Sequence, residues 1–177
     1  MSYNRIATPR AFVDLISYNL AHGWSALANI TALQDDGSTP VTFDTGSIIE
    51  MFDMKPSNHV VIDADNQQFY IQYDTEFSTD TLAESSFLAI LNHNLHTANA
   101  VVTVATDDAS NFSSPTIVST TGSHTKVINA AADAVSTDLD PATNGWTLIT
   151  WPTQESNNRY LRITFTSDTN ATTNFAA

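Results

Sequence analysis

The chain contains no cysteine. This excludes a disulfide framework and a thiolate-bound zinc, so packing or subunit contacts must supply the stability. Basic residues are scarce: six Lys and Arg stand against nineteen Asp and Glu, a formal charge of −13. Such a surface repels a phosphate backbone and an anionic membrane alike, which removes nucleic acid from the expected partners. Only five glycines occur and none adjoins another. Neither a phosphate-cradling loop nor a dinucleotide fingerprint can be written on that pattern. A Gly-x-Ser-x-Gly elbow is missing as well. No apolar run approaches the roughly 20 residues that cross a bilayer, and the opening MSYNRIATPRAF lacks the cationic-then-apolar order of a signal peptide. Neither membrane insertion nor signal-directed export is expected.

What is present reads as one main domain. The 177 residues are 42% hydrophobic, enough to bury a core, while only 14% are charged. Thr, Ser, Asn and Gln must therefore cover the surface, which suits strands better than helices. The first 28 residues differ from the rest. Thr8 and Pro9 supply an N-cap and a first-turn proline, Phe12, Leu15, Ile16 and Leu20 follow at helical spacing, and Gly23 is a stop. This predicts a helix over 10–21, although Val13 and Tyr18 blur the apolar stripe and leave an extended arm as the competitor. The arm is taken as residues 1–28 and the β domain as 29–177.

Within the β domain, short β-rich runs alternate with turn signals such as Asp35-Asp36-Gly37-Ser38 and Asp44-Thr45-Gly46. Strands are expected over 41–43, 59–62, 68–73, 86–91, 100–106, 116–119, 146–151 and 160–165. In Gln68–Tyr73 the residues Phe69, Ile71 and Tyr73 share one face while Tyr70 and Gln72 share the other. Leu161, Ile163 and Phe165 alternate with Arg162 and Thr164 in the same way. Many short strands without helix-length inserts point to an antiparallel sandwich. The stretch NAAADAVSTDLDP, 129–141, reads as a helical turn or a long loop.

Two segments carry a resemblance. FLAILNHNLHTANAVVTVATDD, 87–108, resembles a segment of bacteriophage tail and virion proteins with a galactose-binding-like, discoidin-type jelly roll. There a strand enters a His-Asn-Leu turn, here His93-Asn94-Leu95, and the next strand ends in an acidic loop, here Asp107-Asp108. NRYLRITF, 158–165, is similar to the late strand of that family with its Arg-Tyr-x-Arg-Ile pattern. The resemblance implies a mainly β, antiparallel jelly-roll sandwich. It also implies a structural virion component (tail, neck, fibre-adaptor or capsid decoration) that assembles with other virion proteins and with its own copies. One departure is that the chain ends soon after Phe165, so either residues 173–177 close the fold or a neighbouring subunit does.

Candidate sites follow from the residues. Arg5 and Arg10, with Phe12, Leu15, Ile16, Leu20 and Trp24, form a docking set on the arm. His93 and Asn94 read as a structural turn whose side chains bond local backbone. His93 and His96 are three apart, but the His-Glu-x-x-His helix pattern that would aim both rings one way is absent, and Asp63-x-Asp65-x-Gln67 has Gln68 where a calcium loop needs glycine. A non-standard calcium loop using Asp107, Asp108, Asp138 or Asp140 stays open; no metal or cofactor is assigned. By period, Trp146 and Trp151 fall on opposite faces, so Trp151, with Asp107 and Asp108, is the candidate glycan contact. The chain is read as a non-enzyme that resides in the virion. The alternative is a carbohydrate-binding adhesin module that grips host surface glycans.

Overall fold

The computed structural model describes residues 15–23, 27–53, 55, 57–63, 68–76, 85–95, 100–119, 126–129, 135–136, 145–155, 159–167 and 175–176. The elements are α1 (Leu15–Ala21), β1 (Ile30–Gln34), β2 (Thr42–Thr45), β3 (Val61–Asp63), β4 (Gln68–Asp74), β5 (Ser85–His93) and β6 (Ala100–Asp107). They continue with β7 (Thr116–Ser119), β8 (Lys126–Asn129), β9 (Val135–Ser136), β10 (Gly145–Glu155), β11 (Tyr160–Ser167) and β12 (Phe175–Ala176). Short 3-10 turns occupy Leu27–Asn29 and Ile48–Phe52. The protein is mainly β, with α1 the one α-helix among the described residues.

Every strand pairing among the described residues is antiparallel. Five strands lie in the order β1-β4-β11-β6-β7, four in the order β5-β10-β8-β9, and three in the order β12-β3-β2. In the five-stranded sheet the register aligns apolar residues in rows. Ala32, Ile71, Ile163 and Val104 stand side by side, as do Gln34, Phe69, Phe165 and Val102, and as do Ile30, Tyr73, Leu161 and Thr106. Phe69 and Phe165 stack with centroids 4.7 Å apart. This face is dry because the two-residue period of each strand lines it with apolar side chains; burying each large one is worth roughly 1.5–3 kcal/mol. Ile90 of β5 and Val60 and Ile62 beside and within β3 belong to the same core, with Leu88, Phe43 and Ile48 packed against it. One hydrophobic cluster thus joins residues from all three sheets.

Differences from the expected elements have local causes. The helix is described over Leu15–Ala21; the part expected before Leu15 lies outside the described residues. Strand β5 continues past Leu91 through His93, which pairs with Gly145. Strand β10 runs on through Pro152, and the proline falls inside a register shift between Thr150 and Glu155, where no regular ladder bond is needed from it. At the chain end Phe175 and Ala176 pair with Ile62 and Val61, adding a strand to β3.

Two glycines are required by backbone geometry. Gly37 (φ +70°) turns the chain after β1, and the Asp36 carboxylate accepts the Ser38 and Thr39 amides at 2.8 and 2.7 Å. Gly46 (φ +76°) approaches so closely that a Cβ would lie 2.9 Å from the His59 carbonyl oxygen.

Candidate functional site

The outward face of the five-stranded sheet alternates with the core rows and carries polar ones. Thr31, Gln72, Arg162 and Ala105 form one row; Leu33, Tyr70, Thr164 and Thr103 form the next. Arg162 is the centre of this face. Its Nε and Nη2 donate to Gln72 Oε1 at 3.1 and 2.7 Å, and its Nη2 reaches the Ser110 carbonyl at 3.4 Å. Its guanidinium lies 4.8 Å from the Tyr70 ring centroid and 3.9 Å from that of Phe112. Burial lowers the Arg162 pKa from its ordinary value, against the pull of Tyr70 and Asp107. An arginine stays charged even so, and the two ring faces favour that charge.

Phe112 sits in the loop after β6, with a left-handed φ of 51°. For a bulky residue that conformation is strained and persists only where surroundings impose it. Here Asp107 imposes it from the loop base. One carboxylate oxygen accepts the Ala109 amide and the other the Ser114 amide, each at 2.9 Å. These bonds hold the Asp107 carboxyl below the usual carboxylate range. The side chain is buried at 6% exposure, so it shapes the loop from inside, whereas Asp108 is exposed.

A second turn is tied to the same face. Thr166 Oγ1 donates to Gln68 Oε1 at 3.1 Å, Gln68 Nε2 to the Tyr70 hydroxyl at 2.5 Å, and Tyr70 to the Asp35 carbonyl at 3.1 Å. The sheet end is closed by Arg159, whose Nε and Nη2 each meet an Asp74 oxygen at 2.7 Å. Burial pushes the Asp74 pKa up, but the Arg159 hydrogen bond and charge and the Glu76 amide outweigh it and the net direction is down. Thr75, 1% exposed, sends both its amide and its hydroxyl to the Arg159 carbonyl.

The remaining expected site residues are dispersed. His93 is 3% exposed and its Nδ1 accepts the Leu95 amide at 3.3 Å, while Asn94 beside it is half-buried. On the arm, Ile16 packs against the core and Ser17 Oγ lies 3.5 Å from the Phe52 carbonyl. Leu15 and Leu20 are in α1. Arg5, Arg10, Phe12 and Trp24 lie outside the described residues, and Trp151 is in β10. The structure thus brings Asp107 to Arg162 but leaves His93 at the end of a different sheet. Sequence reading passed over Phe112 and the Asp74–Arg159 pair; the only local signal was an aromatic set among small polar residues in DDASNFSSPT.

This surface offers hydroxyls, amides and aromatic edges held in fixed places. Among the described residues no three His, Asp or Glu converge to hold a metal ion. No protein-family model matches the chain, and no curated protein or solved structure matches it.

Proposed function

We propose that the chain is a structural component of a tailed-phage virion that acts by protein–protein assembly rather than by turnover. The observation that carries this reading is how the charges of the outer face are used. Asp107 is held by two amides, Asp74 by Arg159, and Arg162 by Gln72 and two rings. Groups tied down in this way maintain a shape; they are poorly suited to exchanging protons with a substrate. A rigid surface lowers the ordering cost of association. The finer fold is a galactose-binding-like jelly roll. Its support is the alternation of the chain between sheets, from β4 to β5, back to β6, and from β10 to β11, around one core.

The docking arm in this reading is the segment 1–28, and residues 1–14 are the part of it tested. Arg5 and Arg10 are two of only six basic residues and are attracted to the acidic surface of a neighbour. Because Ile16 already packs on the core, the arm test cuts before Leu15. The full chain is expected to co-sediment with purified particles. A chain lacking residues 1–14 is expected to melt cooperatively at a similar temperature yet stay in the supernatant. A full chain that never associates with particles sinks the reading, and a truncated chain that enters them normally sinks the role of the arm.

A second reading, a carbohydrate-binding adhesin, is favoured by the Gln68, Tyr70, Gln72 and Arg162 face, where amides and a ring edge lie together. Glycan-array binding lost in Gln72→Ala would select it; an array without signal removes it.

A further inference from the structure

After β6 the chain makes a short strap whose two ends are fixed by one carboxylate. Asp107 accepts the Ala109 amide on one oxygen and the Ser114 amide on the other, each at 2.9 Å, and at 6% exposure it is the buried base of the strap. The tip between these anchors runs from Ser110 to Ser113; Ser110, Asn111 and Ser113 are exposed and Phe112 is half-buried. Its own bonds are local. The Phe112 amide donates to the Ala109 carbonyl at 3.1 Å, and the Ser113 amide to Asn111 Oδ1 at 3.2 Å. Two electrostatic contacts tie the tip to the sheet among the described residues, and both end on Arg162. The Phe112 ring centroid lies 3.9 Å from the guanidinium carbon, and the Ser110 carbonyl accepts Nη2 at 3.4 Å.

The closed tip is held against a cost. Phe112 has a φ of 51°, a region that a bulky residue enters only under constraint. The 3.4 Å bond is longer than a good hydrogen bond. Backbone strain of this kind and a cation–π contact are of the same order of magnitude. Closed and open tips therefore lie close in free energy, which is what a two-state element requires. The frame around the tip stays in place when it opens: Arg162 keeps Gln72 Oε1 at 3.1 and 2.7 Å and the Tyr70 ring at 4.8 Å, and Asp107 keeps both anchors. We propose that Ser110–Ser113 is a flap, that Phe112 latches it over Arg162, and that its release bares one face of the guanidinium. Closed, the flap shields one of only six basic residues in a chain of formal charge −13. Open, it leaves on the polar face a cation already oriented by an amide and a ring. What the flap governs is access to that cation.

Phenylglyoxal, a small dicarbonyl that attacks accessible guanidinium groups, tests the shielding on the full chain. Arg162 is followed by peptide mass, with Arg159, which is bound to Asp74, as the internal reference. Arg162 is expected to react at least about tenfold faster in Phe112→Ala than in the wild type, the factor that losing a latch of this strength allows, while Arg159 reacts at an unchanged rate. Fluorine NMR on a chain carrying 4-fluorophenylalanine at position 112 tests the motion. The wild type is expected to show exchange with a minor state, and that state should have the chemical shift of the main state in Arg162→Gln, with far-UV circular dichroism unchanged. Arg162→Lys, which keeps the charge but not the planar stack, should raise the minor population and serves if the glutamine variant does not fold. Equal phenylglyoxal rates at Arg162 in the wild type and Phe112→Ala overturn the proposal, because the ring then shields nothing. So does a fluorine signal that shows no exchange and keeps its shift on warming, because the tip is then a fixed turn.

Discussion

Thr106 is fully buried at the end of the row that begins with Ile30, and its hydroxyl has no hydrogen-bond partner among the described residues. Thr106→Val keeps the shape and removes the unsatisfied group, whose burial typically costs ~1–3 kcal/mol. Urea melts should show a gain of about 1 kcal/mol; a loss would mean that the hydroxyl is bonded in solution. His93 gives the pH response. Burial lowers its pKa from the model-peptide value of 6.5, and the Leu95 amide bonded to Nδ1 suits the neutral ring. The unfolded chain therefore takes up the proton first as pH falls, so stability is complete above about 6.5 and declines below it, down to the depressed folded value. Melting temperatures between pH 7 and 5 should drop less in His93→Asn, whose side-chain oxygen can still accept the Leu95 amide; equal slopes would remove His93 as the cause. At this scale the sequence led to the expectation that His93 bonds local backbone, and its Nδ1 accepts the Leu95 amide. It could not announce Arg162 on Phe112, because fifty residues and a strained loop separate them and neither has a local pattern that names the other.

Gly46 shows how an element boundary rests on one atom. Gly46→Ala would place a methyl 2.9 Å from the His59 carbonyl at a φ of +76°, and such strain costs of order 1–3 kcal/mol. Denaturant melts should show a destabilisation of about that size, while an unchanged midpoint would mean that the 46–60 contact relaxes freely. Strands β4 and β11 were legible because each alternates, as the Phe69, Ile71, Tyr73 series does, and β6 because it is a compact β-rich run. Strand β1 was not foreseen: ITALQ is short, and its buried Gln34 breaks the apolar pattern while donating to the Asp63 carbonyl. Strands β8 and β12 are four and two residues long, and neither shows an alternation of its own. The polar outer face was visible as Tyr70 and Gln72 opposite the apolar set, but the place of its two bounding turns beside it was not, since only pairing brings Asp35 and Ser110 to it.

At the scale of the whole molecule, cohesion comes from one apolar cluster and the pairing ladders, with no converging ligand set among the described residues. The melting temperature should therefore change by no more than about 2 °C in EDTA at neutral pH, a shift that corresponds to roughly 0.5–1 kcal/mol for a chain of this size. Unfolding on chelation would place a structural ion in the acidic loops. The antiparallel β class could be read from strand spacing, whereas strand order could not, because nothing in a strand's own residues says which distant strand lies beside it. That order has a consequence for synthesis. The strand between β4 and β6 is β11, residues 160–167, and it registers on both along nearly its full length. A ribosome releases it only after all of β5 to β10. Until then both neighbours lack the ladder they will share, each exposing backbone groups and half of its apolar rows. The nascent chain must therefore carry β4 and β6 as two incomplete half-sheets until β11 emerges, a state most open to chaperone capture and to pairing with other nascent chains.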